Sequence, residues 1–108
     1  MSNRRRHARY RTVLPVEISA PDKPGRIGVV HNLSAAGLLL ATPSRFVLGQ
    51  TLDLKFRVTM GEEQRSVRGT ITRLSEAWEQ AFPRRVAVRF DQQLPELEGL
   101  FDGHAEPA

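Results

Sequence analysis

Cysteine is absent from this 108-residue chain, so neither a disulfide framework nor a thiolate metal site can hold it together. Aromatic residues are few: one Trp, one Tyr and five Phe. That is thin provision for the stacked platforms on which single-stranded nucleic acid is bound. Three histidines are scattered away from any carboxylate cluster and make no metal site. No apolar run approaches the roughly 20 residues that a membrane-spanning helix needs. Behind the basic N-terminus there is no apolar segment, so a secretory signal is not expected. The expectation is a soluble, cytoplasmic chain. A phosphate-loop glycine pattern is missing, as are HExxH and any recognisable set of nucleophile, base and orienting acid. The composition reads as a binding module, not an enzyme, and calls for no cofactor.

Acidic residues are missing from one stretch in particular. Met1 to Arg11 carries Arg4, Arg5, Arg6, Arg9 and Arg11 with no acid, a charge of +5. The remaining residues hold 11 basic and 12 acidic side chains, a balance of −1, so the whole net charge of +4 comes from that segment. A like-charged polar block of this kind is read as a flexible arm for a polyanion. With no internal repeat or linker in sight, the division is a basic arm over 1–11, one small domain over 12–101 and a loose tail over 102–108.

Within the domain, hydrophobic residues recur mostly at every second position, the period of half-buried strands. Leu14, Val16 and Ile18 alternate with Pro15, Glu17 and Ser19 in a first strand. Ala20 to Gly25 supplies turn formers, Ile27 to His31 a second strand and Leu38 to Ala41 a third. Leu52, Leu54, Phe56 and Val58 give the cleanest alternation. After a hairpin connection at Met60–Glu63, Val67, Gly69 and Ile71 return antiparallel in a fifth strand, which Arg73 ends. Ser75 to Pro83 reads as a loop carrying Trp78, and Val86, Val88 and Phe90 form the sixth strand. Leu94, Leu97, Leu100 and Phe101 recur at three and four, which predicts a short C-terminal helix with Pro95 in its first turn. The expected class is all-β, a six-stranded antiparallel barrel with one short helix.

Two motifs stand out against this background. Arg5-Arg6-His7-Ala8-Arg9 is an RxxxR, and Asn32-Leu33-Ser34-Ala35-Ala36-Gly37 is an NxSxxG set between two predicted strands. With 14 arginines an RxxxR arises readily, and Arg85 to Arg89 is a second match, read here as a decoy. By contrast, six Asn or Asp, six Ser and eight Gly give only about 0.03 chance matches to [DN]xSxxG. Arginine forks suit phosphate oxygens and the guanine O6 and N7 edge. Positions four apart in an extended segment share a side, so Arg5 and Arg9 can face one ligand. Asn32 and Ser34 either bond a ligand or bond their own turn. Gly37 supplies a positive φ or close approach to a ligand.

Together the two motifs resemble those of the PilZ domain, the bacterial receptor for cyclic di-GMP. The resemblance implies a PilZ-type barrel and a non-enzymatic receptor that binds the dinucleotide through Arg4, Arg5, Arg9, Asn32, Ser34 and Gly37, with Arg6 and Arg73 as further candidates. An arginine at the place of Arg4 accompanies, in the family, a stacked and intercalated ligand dimer. Ordering of the arm over the barrel, read by a protein partner in motility, pilus or polysaccharide machinery, is the implied output. Two rivals stay open. One is a PilZ-fold adaptor that meets proteins without ligand; the other is a nucleic-acid-binding barrel using the basic arm, disfavoured by the slightly acidic body.

Overall fold

The computed structural model describes residues 10–58, 61–77 and 81–97. Arg4, Arg5, Arg6, His7, Arg9 and Trp78 lie outside the described residues, as do positions 98–101 of the expected helix and the tail 102–108.

Six strands form where the period-2 pattern predicts them: β1 (Tyr10–Ala20), β2 (Lys23–Leu33), β3 (Gly37–Thr42), β4 (Thr51–Phe56), β5 (Arg65–Glu76) and β6 (Arg84–Phe90). They close into an antiparallel barrel in the order β1-β2-β3-β6-β5-β4. Successive side chains on a strand point to opposite faces, so in β4 Leu52, Leu54 and Phe56 turn inward while Thr51, Asp53 and Lys55 meet water. Val16 and Ile18 of β1, Val30 and Leu33 of β2, Leu38 and Leu40 of β3, Ile71 of β5 and Val86, Val88 and Phe90 of β6 fill the rest of the interior. Pro15 sits in β1 ahead of the short β1–β4 register, which covers only Glu17–Ser19, so its missing N–H falls where no β4 partner stands.

Several boundaries differ from those expected. β2 begins at Lys23, so the break after Ala20 is two residues long, and Gly25 (φ 67°) takes up the backbone irregularity inside the strand. β5 runs to Glu76, so Arg73 lies within it rather than at its end, and Ser75 is strand instead of loop. A register shift between Ile71 and Arg73 moves the inside–outside phase by one, which hid the end of the strand from a period-2 reading. Leu94–Leu97 makes one turn, closed by Leu97 N–H on Leu94 O at 3.0 Å, with Leu97 fully buried against the core. Among the described residues no helix is long and apolar enough to cross a membrane.

Candidate functional site

The NxSxxG segment joins β2 to β3, and its serine holds the turn together. Ser34 N–H donates to Gly37 O at 2.9 Å. The Ser34 hydroxyl donates to the same oxygen at 3.2 Å and accepts from the N–H groups of Ala36 and Gly37, both at 3.2 Å. Ser34 is buried, so these bonds form out of competition with water. The carbonyls of the next two residues are used as well: Ala36 O accepts from Phe90 N–H and Ala35 O from Leu94 N–H, each at 2.8 Å. The turn is thus pinned to itself and to the chain that leaves β6. These are the bonds that the turn reading of Ser34 expects.

Gly37 has no positive φ; among the described residues only Gly25, Gly49 and Gly61 do. The expectation of a left-handed glycine is corrected by a different constraint. A Cβ at Gly37 would stand 2.2 Å from Val88 O and 3.2 Å from Arg89 Cα. Glycine is required there because β3 and β6 approach too closely for any side chain.

Asn32 behaves differently from Ser34. Its Oδ1 is screened from solvent and has no hydrogen-bond partner among the described residues. A buried acceptor without a donor costs about 1–3 kcal/mol, which a bound N–H group would recover. Asn32 faces Arg11 of β1 on one side and Leu39 of β3 on the other. Leu39 in turn faces Ala87 of β6, and Ala87 faces Arg73 of β5. Arg11, Asn32, Leu39, Ala87 and Arg73 therefore form one row across five strands on the outside of the barrel.

That register sets the NxSxxG segment beside the first described residues of the chain. β1 starts at Tyr10 opposite Leu33, next to the Arg11–Asn32 pair. A shallow depression of about 470 Å³ lined by Arg11, Thr12, Val13, His31 and Asn32 lies at the same place.

His31, beside the motif, occupies the irregularity at which β2 slips past β3 between Val30 and Asn32. Partial burial, and secondarily the positive charge of Arg85, hold its proton affinity below the ordinary histidine value of 6.5. The imidazole is accordingly neutral at pH 7, and the cations of this face are its arginines.

Comparison with known proteins places the chain. The family model described as PilZ domain matches residues 3–101. Among solved structures, the Bacillus subtilis inhibitor of motility (MotI/DgrA) is similar at 19% identity and a TM-score of 0.71 over 92% of this chain. The PilZ domain of Escherichia coli YcgR, solved with c-di-GMP, is similar at 16% identity and a TM-score of 0.70 over 93% of this chain and 87% of that one. YcgR in complex with c-di-GMP, from the same organism, gives 17% identity and a TM-score of 0.68 over 93% of this chain. The present chain spans 48% of the B. subtilis chain and 43% of that YcgR chain, about half of each. At these identities the likeness establishes the fold. No curated protein sequence matches the chain.

Proposed function

The chain belongs to the PilZ family, and from that premise we propose that it is a non-enzymatic receptor for cyclic di-GMP. The observation that carries the reading is the β1–β2 register, which sets Arg11, two residues after the RxxxR in the sequence, opposite Asn32 of the NxSxxG. In this proposal Arg5 and Arg9 grip the guanine edge and a phosphate. The guanine N–H groups supply the donor that Asn32 Oδ1 lacks. Ser34 and Gly37 present the ligand with a turn of fixed shape. Arg4 adds charge for a second, intercalated dinucleotide, and Arg6 and Arg73 are supplementary contacts.

The proposed mechanism is an ordering of the arm. Five like charges over 1–11 repel one another, and the ligand's phosphates cancel that repulsion, so the arm settles over the barrel only when they are present. A cytoplasmic protein partner, drawn by family habit from motility, pilus or polysaccharide machinery, would read the surface so formed.

Calorimetric titration tests the receptor reading. Cyclic di-GMP should bind saturably, and GTP and cyclic GMP should not. Asn32→Asp should tighten binding about three- to tenfold, because a carboxylate accepts from guanine N1–H and N2–H together whereas an amide offers one oxygen. Unchanged or weaker binding in Asn32→Asp would remove that residue from the guanine edge. Indifference to cyclic di-GMP, with steeply salt-dependent binding of single-stranded DNA or RNA, would replace the reading by the nucleic-acid one.

A further inference from the structure

The second RxxxR, Arg85 to Arg89, occupies a telling place in the fold. Val86, Val88 and Phe90 are buried, so Arg85, Ala87 and Arg89 point outward from the same face of β6. Ala87 stands between the two arginines in the row that runs from Asn32 through Leu39 to Arg73. With neighbouring strands about 4.8 Å apart, Ala87 lies roughly 10 Å from Asn32 across the sheet, and Arg85 and Arg89 are about 13 Å apart along β6. Leu39 and Ala87 make a low apolar floor, flanked by Arg85 and Arg89 and ended by Arg73.

None of these three arginines has an ion-pair partner among the described residues, whereas Arg65, Arg68 and Arg84 on the same molecule are paired with carboxylates. Unpaired guanidinium groups fixed on a rigid sheet around an apolar floor suit an organic phosphate. The base or sugar can rest on the floor while the forks take the oxygens.

We infer that Arg85 and Arg89, aided by Arg73, form a phosphate-binding rail on β6 that lies outside both recognised motifs. The inference rests on the receptor reading above and deepens it. A cyclic dinucleotide carries two phosphates on opposite sides of its ring. The arm takes one of them, and the barrel's own arginines take the other. This division also selects for length, because a mononucleotide held at Asn32 presents a single phosphate and cannot engage the arm and the rail together.

The test is calorimetric titration of cyclic di-GMP into the wild type, Arg85→Ala/Arg89→Ala and a control, Arg26→Ala/Arg57→Ala. The control removes two other arginines that lack an ion pair among the described residues. Arg85→Gln/Arg89→Gln, which keeps the side-chain bulk, serves as a second rail variant should the alanine pair fold poorly. Loss of two charged hydrogen-bonding groups should weaken binding at least about 30-fold in either rail variant, and less than about threefold in the control. Equal affinity in wild type and rail variants would overturn the rail and leave the receptor reading standing. An equal loss in the control would reduce the rail to bulk charge. Absence of wild-type binding would overturn the rail and the receptor reading together.

Discussion

Arg5→Ala/Arg9→Ala is expected to lose cyclic di-GMP binding by a factor between about 30 and 10⁴ while leaving the barrel's thermal stability unchanged. A good bidentate arginine contact contributes about 1–3 kcal/mol, so two together amount to roughly 2–6 kcal/mol. Arginine rather than lysine is needed because the planar fork matches both the guanine edge and the phosphate. The second half of the expectation comes from the fold. The first residue in the strand register is Tyr10, and the first side chain of the core cluster is Val16. With the core cluster beginning at Val16, Tm should stay within about 3 °C. Full affinity in the double variant would remove the arm from the site. A large fall in Tm would show that the arm holds the barrel together, and the loss of binding would then say little about contact.

Gly37→Ala should do the reverse, destabilising the barrel by about 2–3 kcal/mol and lowering Tm by roughly 10–20 °C. The added methyl would meet Val88 O at 2.2 Å and Arg89 Cα at 3.2 Å, and both are backbone atoms that no rotamer change can move aside. Relief requires β3 to move from β6, which would break the row linking Asn32, Leu39 and Ala87 and disturb the candidate ligand face as well. Gly49→Ala is the useful contrast. That glycine has φ +83° but open space where its Cβ would go. Its cost is the left-handed backbone alone, about 1 kcal/mol, or roughly 5 °C. If the two variants melt together, the close β3–β6 approach does not set the need for glycine at position 37.

These two variants also mark what the sequence could and could not disclose. Strands such as β4 were legible because Leu52, Leu54 and Phe56 alternate with polar residues, and burial alone enforces that pattern. The β2–β3 turn was legible because Asn, Ser and Gly at that spacing are rare by chance and carry turn chemistry of their own. The end of β5 was not, since the slip between Ile71 and Arg73 changes which face each later residue takes. Nor could the reason for Gly37 be read locally. It comes from β6, some fifty residues further along, and a positive φ was the natural local guess. Arg85 and Arg89 fared worst. In a chain with 14 arginines their spacing carries no information, and only the pairing of Ala87 with Leu39 and Arg73 shows that they flank the row containing Asn32.

The measurement to make is an amide NMR titration of isotope-labelled protein with cyclic di-GMP, following Arg4–Arg9, Asn32–Gly37 and Arg85–Arg89. Saturable shifts in all three groups, with the arm amides moving from fast-averaged to ordered signals, are expected if the ligand bridges arm, turn and rail. Shifts confined to residues outside these three groups, such as Phe46 and Leu74, or none at high micromolar ligand, would contradict a receptor that binds its dinucleotide on the β2–β3–β6 face.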